Sequence, residues 1–552
     1  MAYIERGLSL KMSFGIDTTT LVLFLVLSCE AVNGNVKDDP VVTTASLYQL
    51  NSSFAVEMGV LDKKAFTYAT FKDGLLINGW GVLDIVSGNG AGTDLQTMFA
   101  AGYLEGALTY KHIYNQYNNI KGVFLDGKSE EVVTELRNFL KEQRSWMNLM
   151  VAMHKTDPLW RNVGLILSQY TGLEEGYQGT APQSMALDDF AFQLLNGAGD
   201  LLDLMHAIDK DSRPDFMKMS VEEIKRYIQR TGHCSALIKV LGAYEDVFFS
   251  HSSWFVYQST NRIFKYYNFN IEEYASKRIA FSSYPGFLES LDDFYLMSNG
   301  LVMLQTTNNV FNTSLYDLVQ VESIPAWIRV RVSNHKSSQS SDWGAWFKQY
   351  NSGTYNNQYM ILDLNKVKLN ETIEDDALWV VEQIPGLVLS DDQTAKLRLG
   401  YWPSYNVPYY EEVYNKSGYP AVVEAKGLDM SYQMAPRAKI FRRDAAKVTD
   451  MDSMKHIMRY NDFKNDPYSE GNACDTICCR GDLLTSAAKP DGCYDTKVAD
   501  YNMAKQFQAW VINGPSRGDS LTPFSWVQFK NASHAGLPDI YNFDFIYMKP
   551  TL

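Results

Sequence analysis

The sequence predicts a layered α+β protein, and three of its features say so. Apolar clusters rich in β-branched and aromatic residues fill 43–87 and are cut by turn signals. Residues 95–205 carry apolar positions at three- and four-residue spacings, the mark of amphipathic helices. After 233 the chain returns to short apolar runs separated by helical or looped segments. Strands flanked by helical blocks bury their apolar faces against one another in layers.

In chain order, the strand-like text of 43–87 contains an Asp-Gly turn signal and closes on Gly88-Asn89-Gly90, and Gly79-Trp80-Gly81 points to a close backbone approach. Helices are expected over 95–117, 129–154, 158–173 and 186–205, with Ser129 and the glutamate after it as an N-terminal cap. The polar stretch 209–230, with its Arg213-Pro214 step, reads as an exposed, clippable linker. Next come an apolar run from Cys234 to 241, a turn over 242–245 and a second run ending at His251, together a hairpin. A symmetric register about 242 and 243 sets Cys234 opposite His251. Further strands are expected over 278–283, 294–305, 356–364, 378–381 and 439–442, with helical or looped text such as 315–334 between them. No repeat of fixed period or low-complexity tract interrupts this organisation.

A formal net charge of -14 leaves no basic excess to displace the counterions of nucleic acid, which excludes a sequence-independent grip on it. The same charge suits an acidic compartment, where self-repulsion relaxes. Lys11 followed by the apolar run 21–27 and small or polar residues to Asn35 reads as a signal peptide over 1–35, and a start at Met12 leaves a leader of more usual length. No other run approaches the roughly 20 apolar residues of a membrane helix, so no transmembrane anchor is expected. Sequons at Asn51, Asn312, Asn370, Asn415 and Asn531 agree with a glycosylated product of the secretory route.

Of the 6 cysteines, Cys29 leaves with the leader, while Cys474, Cys478, Cys479 and Cys493 cluster near the C-terminus. In an oxidising compartment those four form two disulfides of undetermined connectivity; adjacency of Cys478 and Cys479 is poor for chelating zinc. Cys234 is left unpaired. Elsewhere, Gly514-Pro515-Ser516-Arg517-Gly518 matches a nucleophile elbow, yet Pro515 and the missing strand-turn-helix context make it a surface loop. Arg480-Gly481-Asp482 spells an adhesion tripeptide, but beside the cysteine cluster it reads as a constrained loop.

At Gly232-His-Cys-Ser-Ala-Leu-Ile-Lys239 the text strongly resembles the phospholipase B-like proteins, whose precursors cleave before that cysteine. The resemblance spans nearly the whole mature chain. It includes His251-Ser-Ser-Trp254, Phe281-Ser-Ser-Tyr-Pro-Gly286 with Asp292-Asp-Phe-Tyr295, Gln305-Thr-Thr307, Asn351-Ser-Gly-Thr-Tyr-Asn-Asn-Gln358, Tyr401-Trp-Pro-Ser-Tyr-Asn406, Ala435-Pro-Arg-Ala438 and Asp450-Met-Asp-Ser-Met454. The tail segments Cys474-Asp-Thr-Ile-Cys-Cys-Arg480, Gly492-Cys-Tyr-Asp-Thr-Lys-Val-Ala-Asp500 and Tyr541-Asn-Phe-Asp-Phe545 resemble the type 1 branch rather than the lysosomal type 2 branch.

This resemblance implies the four-layer αββα sandwich of N-terminal-nucleophile (Ntn) hydrolases and self-cleavage between His233 and Cys234. The chain then divides into an N-terminal fragment 36–208, a linker 209–233 removed or clipped, and a catalytic fragment 234–552, with the two fragments staying associated. The implied site is Cys234 as nucleophile with His251, Thr307, Asn406 and Arg437, and Trp254 as a pocket wall. A freed α-amine has a reference pKa near 7.7 to 8 and serves as the proton acceptor, so neither a cofactor nor a metal is required. Asn406 is expected to donate to an oxyanion, and Arg437 to fix charge or orient a carbonyl; His251 polarises the thiol, assists the self-cleavage, or is a strand histidine satisfied by hydrogen bonds. The implied activity is removal of fatty-acyl chains from phospholipids, in a secreted or lysosomal setting. Its competitors are an amidase acting on N-acyl lipids or peptides and a lumenal binding protein with a degenerate hydrolase fold.

Overall fold

The computed structural model of the chain describes residues 9–14, 18–25, 39–50, 53–230, 232–518 and 520–552. Much of the expected leader, and the sequon at Asn51, lie outside the described residues; within the leader Ser9–Phe14 and Thr18–Leu25 pair with each other. The expected strand text of 43–87 forms β1 (Val41–Leu50), β2 (Ser53–Met58), β3 (Thr67–Gly74) and β4 (Trp80–Ser87). A β-carbon on Gly79 would lie 2.8 Å from Asn513 Cβ and one on Gly81 2.9 Å from the Phe71 ring, so the close approach read from Gly79-Trp80-Gly81 is present.

Helices α1 (Asp94–Leu125), α2 (Glu130–Met153) and α3 (Pro158–Thr180) follow, with the Ser129 side chain capping α2 at the Val132 N–H. Helices α1 and α3 meet backbone to backbone. A β-carbon on Gly102 would stand 2.0 Å from the Gln169 carbonyl oxygen, and one on Gly176 2.0 Å from that of Tyr103. The single helix expected over 186–205 is two, α4 (Asp189–Asn196) and α5 (Ala198–Ile208), broken at Gly197.

Much of the expected linker before 221 is exposed, as at Lys210, Asp211, Ser212, Met217 and Lys218. It carries α6 (Val221–Arg230), and Phe216 and Ile224 pack with Phe311, Tyr419, Val422 and Met430. Beyond it run β5 (His233–Val240), β6 (Val247–Val256), β7 (Arg262–Phe269), β8 (Arg278–Ser283), β9 (Phe294–Met297) and β10 (Leu301–Thr307). The strand expected over 294–305 is thus a hairpin, because Gly300 turns with φ 87°. After α7 (Ala326–Lys336) come β11 (Asn357–Asp363), β12 (Leu378–Ile384), β13 (Leu387–Asp392) and β14 (Tyr401–Ser404). The strand expected over 439–442 is instead part of α8 (Pro436–Asp444), started by Pro436 at its first turn and followed by α9 (Met451–Met458). A short apolar run fits a buried helix as well as a strand, and length alone misled here. The tail adds β15 (Asp491–Cys493), β16 (Asp495–Asp500), β17 (Ala509–Asn513) and β18 (Ile546–Met548).

Two large sheets result. One runs β2-β1-β3-β4-β7-β8-β9-β10-β11-β12-β13, with the leader pair beyond β2; the other runs β14-β5-β6-β16-β17-β18, with β15 on β6. The hairpin register differs from the symmetric expectation: Cys234 stands opposite Ser253, and His251 opposite Ala236. The turn spans 242–245 as expected, closed by the Leu241 N–H donating to the Asp246 carbonyl, but its centre falls between Ala243 and Tyr244, both in the left-handed region, one residue beyond the assumed centre. A two-residue offset keeps every side chain on its expected face, which a one-residue slip would not.

Packing follows that alternation. Ala236, Ile238, Val240, Val247 and Phe249 meet Phe264, Phe294, Leu304 and Met360 between the sheets. The outer face of the large sheet is covered by Phe99, Tyr103 and Leu104 of α1 and Val330 of α7, and the outer face of the smaller one by Ile440, Phe441, Met454 and Ile457. No described helix is long and apolar enough to cross a membrane.

Glu382 of β12 is buried and accepts from the Tyr409 and Tyr410 N–H groups (2.7 and 3.0 Å) and from Gln358 Nε2 (2.7 Å). Burial still pushes its pKa up to about 7. An acid raised above its unfolded value near 4.3 contributes stability that is full below that value and is lost as pH rises through about 7. Glu382→Gln should therefore gain on the parent by a few kcal/mol between pH 5 and pH 8, on the order of 1.4 kcal/mol per pKa unit. Denaturant unfolding of both proteins at the two pH values checks this, and a constant or falling difference contradicts it.

Candidate active site

Cys234 sits second on β5, where alternation turns its side chain toward the large sheet. It is 5% exposed and is the free cysteine among the described residues. Gly232, two residues earlier, has φ 80°, a conformation costly for any side chain, so the chain turns sharply into the strand. His233 is buried, and burial together with the Arg437 charge holds its imidazole well below its usual pKa.

The backbone of Cys234 is fastened on both sides. Its N–H donates to Asn406 Oδ1 (3.2 Å), while its carbonyl accepts from Arg437 Nη1 (2.5 Å). Arg437 Nη2 also donates to Asn406 Oδ1 (2.7 Å), and its guanidinium lies 4.4 Å from the Trp254 ring centroid. Asn406 is fixed by Nδ2 donating to the Thr307 carbonyl (2.5 Å) and by a left-handed backbone, φ 70°, which asparagine tolerates. Burial pulls Arg437 down to about 10, so it stays charged at neutral pH.

Burial dominates the thiol as well, pushing it up to about 12 although the Trp254 backbone N–H and the Lys497 charge pull the other way. Cys234 is therefore a neutral thiol in the uncleaved chain. Beneath it lies a charged network that sequence reasoning missed. Lys497 Nζ donates to Ser253 Oγ (2.6 Å), Asp292 Oδ2 (2.6 Å), Asp495 Oδ1 (2.9 Å) and His251 Nδ1 (3.0 Å), while Arg262 pairs with Asp292 (2.8 Å) and Asp495 (3.0 Å). All these side chains are buried. Burial opposes ionisation of Asp292, but Arg262 and Lys497 override it and hold the acid well below the carboxylate range. Burial and the Lys497 charge keep His251 neutral, so it is held as an acceptor at Nδ1 rather than poised as a base.

Two cavities meet at this point. One of about 30 Å³ is lined by Cys234, Trp254, Leu202, Leu291, Phe255 and Tyr355. The other, of about 80 Å³, is lined by His233, Trp254, Asn406, Arg437 and residues of α6. Trp254 walls both. Structure thus brings Cys234, Asn406, Arg437, Trp254 and Thr307 together, with Thr307 contributing its carbonyl, and sets His251 two cross-strand pairs along the ladder. The missed residues Ser253, Asp292, Asp495 and Lys497 all fall inside the resembling segments. Strand alternation carries a signal for the last two, since residues 495 and 497 share a face.

The tail cysteines form Cys474–Cys479 and Cys478–Cys493, resolving the open connectivity. No zinc-like cluster occurs among the described residues. Ser516 is buried and donates to the Arg459 carbonyl, so the first half of the Gly514–Gly518 loop is internal and its end at Gly518 is exposed; Arg480 is likewise buried against Asp482 (2.7 Å). The sequon residues Asn312, Asn370, Asn415 and Asn531 are exposed.

The family model Phospholipase B matches residues 67–548. The chain is 48% identical over 515 residues to phospholipase B-like 1 of Rattus norvegicus, covering 92% of each protein. It is 47% identical over 516 residues to phospholipase B of Crotalus adamanteus, covering 92% of this chain and 93% of that protein. Against phospholipase B-like protein D of Dictyostelium discoideum identity is 36% over 519 residues, covering 91% and 90%. The chain belongs to the phospholipase B family.

Alkylation without reduction should label none of Cys474, Cys478, Cys479 and Cys493, even after denaturation, as peptide mass mapping would read. In the native uncleaved chain Cys234 should react far more slowly than an exposed thiol of ordinary pKa, because little thiolate forms near pH 8. Rapid native labelling of Cys234, or labelled tail cysteines, contradicts the assignment.

Proposed function

We propose that this protein is a phospholipase B-like acyl hydrolase of the Ntn type. Its two stacked sheets with helices outside would be the four-layer αββα sandwich, and self-cleavage before Cys234 would mature it. The observation that carries the reading is the fastening of Cys234 by Asn406 and Arg437 at the start of an inner strand, with its side chain beside an apolar cavity. The names of the family relatives support a lipid acyl substrate.

Maturation runs as follows. Cys234 Sγ attacks the His233 carbonyl carbon, the His233–Cys234 amide breaks, and its nitrogen takes the thiol proton to become an amine. Water then hydrolyses the thioester, leaving a carboxylate on His233 and the thiol on Cys234. The freed amine, still beside Asn406 Oδ1, accepts the thiol proton during turnover. Asn406 acts first by orienting this amine; its second Nδ2 hydrogen is the one left for an oxyanion. Arg437 holds the Cys234 carbonyl and keeps the strand end in register. A cavity of about 30 Å³ holds roughly one water and no acyl chain, so the linker 209–233 must move before substrate enters.

N-terminal sequencing of the mature protein should place Cys234 first, and an active chain uncleaved there sinks the mechanism. Cys234→Ala should abolish cleavage and turnover. Cys234→Ser should cleave slowly by the analogous N-to-O shift and turn over less still. Asn406→Ala should keep partial cleavage yet lower turnover by a factor on the order of a hundred. Hydrolysis of matched ester and amide lipids at pH 5 and 7, scored beside the fraction cleaved, reads all of these and separates the esterase from the amidase. Full turnover by Cys234→Ala protein assembled from separately expressed fragments rules Cys234 out.

A further inference from the structure

Lys225 lies on α6, within the segment that maturation would release, and its ammonium occupies a defined acidic seat. Its Nζ donates to Asp475 Oδ2 at 2.7 Å and stands 3.9 Å from Asp429 Oδ2. All three residues line the cavity of about 80 Å³ that also holds His233, Trp254 and Arg437. This seat therefore adjoins the bond that self-cleavage would break. In the same wall the Trp254 Nε1–H is buried without a hydrogen-bond partner.

The backbone of Asp475 is held in place. It follows Cys474 in a loop closed by the Cys474–Cys479 and Cys478–Cys493 disulfides, and its carbonyl accepts from Ser469 Oγ (2.8 Å). Its side chain is 15% exposed even with Lys225 in place. Asp429 keeps a second cation, Lys439 at 3.0 Å, whereas Asp475 has Lys225 as its hydrogen-bonded cation. Loss of the linker would leave a largely buried carboxylate without its hydrogen-bonded cation, with only the unbonded charge of Arg437 nearby, beside an apolar wall of Phe311, Tyr419 and Met430 from which Phe216 and Ile224 have also gone. A buried charge stripped of its partner is strongly disfavoured and draws in another cation or a proton.

We propose that Asp475, assisted by Asp429, is the recognition site for a primary ammonium on the head group of the lipid substrate, and that Lys225 mimics that group in the uncleaved chain. This rests on reading Cys234 as the nucleophile uncovered by self-cleavage. A primary ammonium is favoured over a quaternary one because Lys225 donates a hydrogen bond that a trimethylated nitrogen lacks. The arrangement gives the site a direction. Head-group charge goes to Asp475 on one side of Trp254, and the acyl chain goes to Leu202, Leu291 and Phe255 on the other.

The test uses the processed two-fragment protein and monomeric short-chain phospholipids, titrated calorimetrically. A phosphoethanolamine head should bind about tenfold tighter than a phosphoglycerol head of equal chain length. Asp475→Asn should bring that ratio to about one, and Asp429→Asn should lower it by about half. Butylammonium should compete with the phosphoethanolamine lipid and not with the phosphoglycerol lipid, a readout that needs no variant to fold or process. Equal affinity for both heads, a ratio unmoved by Asp475→Asn, or no competition by butylammonium overturns the proposal. Wild-type turnover of a cation-free short-chain ester is measured separately. Head-group preference without turnover would sink the nucleophile reading and leave the ammonium site standing, while turnover without preference would do the reverse.

Discussion

The parallel pairing of β4 with β7 is the constraint on which the remaining structure depends. Trp80 to Ser87 runs beside Arg262 to Phe269 in unbroken register, joining a strand from before Cys234 to one from after it. A parallel pair requires a long crossover. Here the crossover contains five helices, the linker and the β5–β6 hairpin, so the segment around Cys234 is bound at both ends to one sheet. Arg262, at the start of β7, is also the cation that pairs with Asp292 and Asp495. The sheet therefore anchors the charged floor of the site as well as the fold. Further ties cross the same boundary: Asn513 Nδ2 donates to the Gly79 carbonyl, and the N–H groups of Thr551 and Leu552 donate to Asp84.

On this frame the site combines two electrostatic regimes within a few residues. Above, Asn406 and Arg437 address the Cys234 backbone with polar groups arranged around the amide that the proposed reaction breaks. Below, Lys497 and Arg262 are balanced by Asp292 and Asp495. A buried charge is tolerated only when paired and hydrogen-bonded, and here the positive members also deny His251 a proton. A site so arranged has no strong base near the thiol until an amine appears. On the proposed reading the same residue would serve both processing and turnover, and turnover would begin only once the amine is freed.

The linker illustrates how a polar text can be structurally occupied. Its charges are not simply solvated: Lys225 reaches Asp475, Lys426 Nζ donates to the Met217 and Met219 carbonyls, and Phe216 and Ile224 fill an apolar gap. The uncleaved chain thus keeps its own cavity filled by a segment whose polar and apolar groups are both matched to the wall.

By itself the sequence determined the α+β class, most strand and helix positions, the unpaired status of Cys234 and the family, because periodicity and local turn chemistry are short-range properties. It also marked Asn406, Arg437 and Trp254 through contiguous resembling segments. Where local patterns are ambiguous it misled: Ile440-Phe441 fits strand or helix, and Ser298-Asn299-Gly300 was absorbed into one long strand. Only the tertiary structure decided the hairpin register, the disulfide pairing and the network under Cys234. Asp292, Asp495 and Lys497 look in sequence like any solvated charges. Their burial, pairing and effect on His251 arise from strands and loops far apart in the chain meeting in a space that water has left, and no local pattern encodes that.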